Sequence, residues 1–280
     1  MREDWIIQKR QDFEKLPEDK KNKEINKNNE EAIKLDERLA LLVNPEEIIP
    51  GLNLVNINNA RETIESEYRN NDISNPVRDV PVSVGTSLTE PYMYDLLSSL
   101  DYELNNNKTD SYKKLLQLCQ NKPLVDLGAG KQSIGYIVSS WLGAKGYVAI
   151  EPHNFQELAE NLLNNQELDE QIASHKNIKV GTKPIPYSII REDALTFLKR
   201  LPDKSVGVLS FGTDGYIIKD GQYTKDVINE IKRVLDSESA ILTNNSVFGY
   251  PDDYKECDSE VLLRNGYVEY VTVISPKSKE

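Results

Sequence analysis

From Leu124 onward, apolar residues come in short runs separated by stretches with helical spacing. Leu124, Val125 and Leu127 form one run, Ile134, Ile137, Val138 and Trp141 recur along a helix face, and Tyr147 to Ile150 form a second run. Short apolar runs suit strands buried on both faces, and the helical stretches between them suit helices packed on a sheet. The alternation continues with Tyr187 to Ile190, an amphipathic Leu195 to Leu201, Val206 to Phe211, a helix Thr224 to Leu235 and a strand Ser239 to Thr243. Such repeated β/α units predict a mostly parallel sheet covered by helices on both faces. Beyond it, Tyr254 to Leu263 leads to one clear strand, Tyr267 to Ile274, so the pattern predicts an incomplete terminal hairpin.

The first seventy or so residues follow another pattern. They are rich in Lys, Glu and Asn and poor in Gly, with Trp5, Ile6, Phe13, Leu16, Ile33, Leu39 and Leu42 at rough helical intervals. This predicts a helical extension interrupted at Pro45 and Pro50-Gly51, with an extended linker from Asn71 to Val84. The expected division is 1–80 for extension and linker and 81–280 for the α/β domain. A substrate lid, an arm for homo-oligomerisation and an appendage packed on the domain are all open readings of residues 1–80.

Composition narrows the class. A chain of 280 residues with 38% hydrophobic content holds one sizeable core. A formal net charge of -12 argues against nucleic acid as a partner, and the lysines of Lys20 to Lys27 are interleaved with carboxylates such as Glu24. Cys119 and Cys257 lack disulfide or metal-site spacing, and His153 and His175 lack metal partners, so no metal is expected. No run of about twenty apolar residues or leader pattern is present, which sets the expectation of a cytoplasmic protein without a membrane partner.

The candidate chemistry lies between the first two strands. Gly128 and Gly130 leave the backbone bare where the first strand turns into a helix, and Glu151 ends the second strand, placed to accept from ribose hydroxyls. A dinucleotide fingerprint wants a third glycine where Ser133 stands, which disfavours NAD and FAD. With Val125-Asp126-Leu127-Gly128-Ala129-Gly130 as first motif and Glu151 at the second strand end, the chain resembles the class I S-adenosylmethionine-dependent methyltransferases. The resemblance implies a Rossmann-like methyltransferase fold and S-adenosyl-L-methionine as cofactor, bound by Asp126, Gly128, Gly130 and Glu151. It also implies that Asp193 and Ala194, after the third strand, read adenine; capping of the next helix is the other reading of Asp193.

Parallel sheets bind ligands at the carboxyl ends of their strands, so Gly212, Thr213, Asp214 and Tyr216 are expected to face the same crevice. Gly212 would border the cofactor, and Thr213 and Tyr216 the acceptor. Asp214 is the candidate base, or else a turn residue. The segment Gly85 to Met93, with Tyr92, resembles the turn before the cofactor strand in protein isoaspartate carboxyl methyltransferases; a helix start capped by Thr89 reads it equally. The loop after the fourth strand departs from that subfamily. The Asn/Asp-Pro-Pro-aromatic and Pro-Cys signatures of base methylation are absent, leaving a small molecule or protein side chain as the favoured acceptor. A non-catalytic cofactor-binding module whose extension binds a protein is the reading from another class.

Overall fold

A computed structural model describes residues 13–64, 110–130, 134–153, 155–163, 184–211, 221–244, 247–265 and 268–277. In chain order the elements are α1 (Glu18–Leu39), α2 (Pro45–Ile48), α3 (Asp110–Cys119), β1 (Pro123–Leu127), α4 (Ile134–Trp141), β2 (Gly146–Ile150) and α5 (Phe155–Leu163). There follow β3 (Tyr187–Ile190), α6 (Ala194–Leu198), β4 (Gly207–Ser210), α7 (Gly221–Val234), β5 (Ile241–Thr243), β6 (Cys257–Asn265) and β7 (Val268–Pro276). The strands form one sheet in the order β3-β2-β1-β4-β5-β7-β6. β1 to β5 run parallel, while β7 pairs antiparallel with β5 and β6. This mostly parallel sheet with flanking helices is the Rossmann-like methyltransferase fold.

Burial follows the expected periodicities. Leu124, Ala149, Ile189 and Leu209 face one apolar cluster with α4 and α5, and Val125, Leu127, Val148 and Val208 face the other with α6 and α7. All eight residues of α4 are buried, so this helix is covered on its outer side as well. Cys119 is buried too, and burial pushes its thiol up to about 12, which makes it an inert apolar group.

The terminal hairpin differs from expectation. β6 and β7 pair from Cys257–Pro276 to Asn265–Val268, so the hairpin is complete, and Tyr254 to Leu263 spans a short 3-10 turn and a strand. β6 is an edge strand with Asp258, Ser259 and Glu260 exposed, and that polar run hid its period.

The opposite edge is covered by chain from before the linker. Tyr187 donates to Leu41 O at 2.8 Å and Val43 donates to Tyr187 O at 2.9 Å; Ala60 then donates to Ile189 O at 2.9 Å and Arg191 to Asn58 O at 2.8 Å. Residues 41–60 thus hydrogen-bond to both ends of β3, where an open edge would offer its ladder to other chains. Between these anchors Ile48 sits over β2, with room because Gly146 has no Cβ; one built there would lie 2.9 Å from Ile48 Cγ2. Residues 41–60 are therefore part of the sheet's own packing, and the expected boundary near residue 80 falls outside the described residues.

One ion pair fixes this segment. Arg200 Nε and Nη2 donate to Glu192 Oε2 and Oε1 at 2.9 and 3.1 Å, the guanidinium also donates to Val55 O and Asn56 O, and Asn58 N donates to Glu192 Oε1. Both side chains are mostly buried, so removing one partner leaves the other charge poorly solvated. Arg200→Ala should cost about 2 to 4 kcal/mol in chemical denaturation and speed proteolysis between residues 53 and 58. A loss under about 0.5 kcal/mol with unchanged proteolysis would show the clamp to be ornamental.

Candidate functional site

The parallel register sets the site. Leu127 pairs with Ile150, so the turn that leaves β1 and the loop that leaves β2 lie side by side at the carboxyl ends of their strands. Gly128 and Gly130 take φ of 69° and 64°, left-handed values that glycine adopts without strain. Their amides are aimed: Gly128 N and Ala129 N donate to Ile150 O at 3.0 and 3.2 Å, and Gly130 N donates to Glu151 Oε2 at 2.9 Å. The other oxygen, Oε1, accepts from His153 N at 2.9 Å. The Glu151 carboxylate, 4% exposed, therefore ties the glycine turn to the loop of the neighbouring strand. No atom of the described residues lies within 4 Å of a Cβ built at Gly130.

Asp126 is placed differently from the glycines. It points beneath the turn, 3% exposed, where Oδ2 accepts from the Tyr147 hydroxyl at 2.8 Å. α4 comes so close that a Cβ at Gly135 would lie 2.0 Å from Asp126 Oδ2. Gly135 thus permits close helix-to-strand packing two residues beyond Ser133, the place where a dinucleotide fingerprint has its third glycine. Tyr147 and Tyr187 each stack edge-on against Tyr136 at 5.7 Å, and the Tyr136 hydroxyl both donates to Ile185 O and accepts from Ile185 N. Burial pushes the Asp126 carboxyl up to about 7; the Tyr147 hydrogen bond opposes this and the nearby Glu151 charge adds to it. Burial, followed by the Asp126 charge, pushes the Tyr147 phenol well above its ordinary value, so it stays a donor.

At the end of β3, Asp193 caps α6. Oδ1 accepts from Thr196 N at 3.0 Å and from the Tyr223 hydroxyl at 3.2 Å, and Oδ2 accepts from Thr196 Oγ1. Burial raises its pKa, but these hydrogen bonds outweigh burial and hold it below the ordinary carboxylate value. Ala194 is buried behind it. Tyr223 lies in the first turns of α7, so its hydroxyl joins the helix after β4 to the cap after β3. After β3, the Arg191 guanidinium stacks 3.8 Å from the Phe155 ring centroid at the start of α5.

The strand order reverses beside β1, whose neighbours are β2 and β4, and the turn, Glu151 and Asp193 all lie at the carboxyl ends flanking that reversal. The structure thus brings Gly128, Gly130, Glu151, Asp193 and Ala194 to one end of the sheet and sets Asp126 below them. Gly212, Thr213, Asp214, Tyr216 and Tyr92 lie outside the described residues. Sequence reasoning missed Gly135, Tyr147, Tyr223 and the Arg191–Phe155 pair. Of these only Gly135 left a signal, a third glycine five residues past Gly130.

No family model matches the chain, and no curated protein does. Solved structures similar to it include a Methanococcus maripaludis protein provisionally named as an S-adenosylmethionine-dependent methyltransferase, 11% identical, covering 68% of this chain and 89% of that one, with a TM-score of 0.40. The precorrin-6y C5,15-methyltransferase of Geobacter metallireducens is 16% identical over 60% of this chain and 86% of its own, with a TM-score of 0.36. A S-adenosylmethionine-dependent methyltransferase of Archaeoglobus fulgidus is 14% identical over 51% and 50%, with a TM-score of 0.29. These likenesses are too distant to speak for residues or substrate.

Asp126 gives the site a pH signature. Its folded pKa lies above its unfolded value, so its contribution to stability is fully present below about pH 4 and is lost as pH rises towards about 7. Relative to Asp126→Asn, which cannot ionise, the parent should lose stability across that window and hold level above it. A stability difference that stays constant from pH 4 to 8 in denaturant titrations would show that Asp126 is not held protonated by burial.

Proposed function

We propose that the chain is an S-adenosylmethionine-dependent methyltransferase whose cofactor lies across the Gly128–Gly130 turn and Glu151. The observation that carries this is the left-handed two-glycine turn held beside a strand-end carboxylate where the strand order reverses. The residues fit the group. A left-handed glycine turn leaves bare main chain on which a ligand can rest, and a carboxylate at the neighbouring strand end is the group that accepts from ribose hydroxyls. Bound there, the cofactor supplies a methyl group already activated by its positive sulfur.

The chain's own work is then mostly positioning. Glu151 accepts from the ribose hydroxyls while keeping its hold on Gly130. Asp193, acidic and held by Thr196 and Tyr223, offers a negative edge to the exocyclic amine of adenine, with Ala194 beside it. Asp126 keeps the turn at its height from below. Alignment of an acceptor with a methyl group provides much of the acceleration, and a base is needed only if the acceptor must lose a proton. Asp214 is the residue for that role, with Gly212 on the cofactor side and Thr213, Tyr216 and Tyr92 around the acceptor. The favoured acceptor is a small molecule or protein side chain.

The experiment is transfer of labelled methyl from the cofactor into fractionated lysate, run beside calorimetric titration. Gly128→Val should abolish binding with helical content intact. Glu151→Ala should weaken binding by about 1.5 to 3 kcal/mol, the range for a hydrogen bond to a charged group. Asp214→Asn should keep cofactor affinity and lose turnover. Binding without any labelled product in the parent would make the protein a non-catalytic module, and parental affinity in Glu151→Ala would move the ribose elsewhere.

A further inference from the structure

Beside the terminal hairpin lies a cavity of about 360 Å³, walled by Tyr250, Pro251, Asp252, Ser259, Glu260, Val261 and Thr272. It exists because the chain after β5 folds back tightly: a Cβ on Gly249 would lie 2.1 Å from Thr243 Oγ1, so only glycine passes there. The next residues then turn outward, and Tyr250 stands 51% exposed. Thr272 pairs with Thr243 and with Val261 across the ladder. The cavity therefore sits at the carboxyl end of β5, the same end of the sheet as the glycine turn.

The ladder sorts the side chains. Ser259 pairs with Ile274 and Val261 with Thr272, so these four share one face, whereas Glu260 pairs with Val273 on the other and forms an ion pair with Lys114. The Asp252 carboxylate is exposed and has no ion pair or hydrogen bond among the described residues. Thr272 is 2% exposed, and its hydroxyl has no hydrogen-bond partner among the described residues, a costly state for a buried polar group. Among the described residues no lysine or arginine lines the cavity. Residues 251–260 carry five carboxylates against one lysine, in a chain of net charge -12.

An aromatic wall, an unpaired carboxylate and hydroxyls in a negative field recognise a cation bearing N–H or N–CH groups. With Glu260 held in its ion pair with Lys114, the carboxylate of Asp252 is left with a phenol and two hydroxyls, a poor set for a divalent metal ion that takes about six or more oxygen ligands. We propose that this cavity binds an organic ammonium group, the charged end of the methyl acceptor; the word acceptor rests on the function proposed above, and the ammonium site does not. Tyr250 faces the cation, Asp252 pairs with it, and the Ser259 and Thr272 hydroxyls accept from it.

The probe is propylammonium, titrated into isotope-labelled full-length protein and followed by amide chemical shifts, with n-propanol and propionate as neutral and anionic controls. Saturable shifts at Tyr250, Asp252 and Thr272 are expected for propylammonium alone. Asp252→Asn should weaken it about fivefold, the upper range for an exposed ion pair. Tyr250→Leu should weaken it severalfold, and Thr272→Val should weaken it while leaving the Tm level or higher, since an unpartnered hydroxyl is removed. Equal response to propylammonium and n-propanol, or parental affinity in Asp252→Asn, overturns the site; both exposed variants remain informative if Thr272→Val does not fold. Cofactor titration of the same samples reads the other claim separately. Cofactor binding without propylammonium binding removes only the ammonium site, and the reverse removes only the methyltransferase reading.

Discussion

The hold of the Glu151 carboxylate on two backbone amides is the constraint from which the rest of the crevice follows. Beyond the last β1–β2 pair, Gly128 and Ala129 still donate to Ile150 O, but Gly130 lies past those bonds, and left-handed glycines are among the freest residues a chain can offer. One carboxylate accepting from Gly130 and His153 extends the join between the two loops past Ile150, with bonds strengthened by its charge and by burial. The same residue is then available to a ligand only in the orientation this bridge permits. Positioning is built in before any ligand arrives, and less conformational freedom is lost on binding.

Beneath the bridge, the fold gives up stability for geometry. Asp126 lies under α4 at a depth that pushes its carboxyl up to about 7, with Tyr147 as donor and Gly135 giving way for it. An apolar residue there would cost less to bury, but it would leave the Tyr147 hydroxyl without this acceptor. Across the sheet, residues 41–60 close the β3 edge and the Glu192–Arg200 pair locks them, which steadies the strand end that carries Asp193. The two ends of the sheet are finished by different means. One edge is covered by a chain segment, the other by a hairpin whose outer strand is studded with carboxylates.

Much of this was legible in the sequence where the physical signal is local. Runs such as Tyr147 to Ile150 and the spacing of Ile134, Ile137, Val138 and Trp141 announce buried strands and the helix between them, and the glycines announce their own turn. The capping reading of Asp193 was equally local, written in its position before Ala194. What escaped depends on contacts distant in sequence. Nothing near Leu41 or Asn58 tells that they will pair with β3, and nothing near Tyr147 tells that its hydroxyl will meet Asp126. β6 escaped for a different reason, since an edge strand with carboxylates on display lacks the apolar period that marks a strand.

The central claim is that a cofactor rests on the bare backbone of the glycine turn. It is tested most directly by following the amide resonances of Gly128, Ala129, Gly130, Glu151 and His153 while S-adenosylmethionine is added to the protein. The account predicts saturable shifts at these amides and slower hydrogen exchange at Gly130. Amides in this group that stay unmoved while the ligand shifts others, or that stay unmoved because it does not bind, would contradict it.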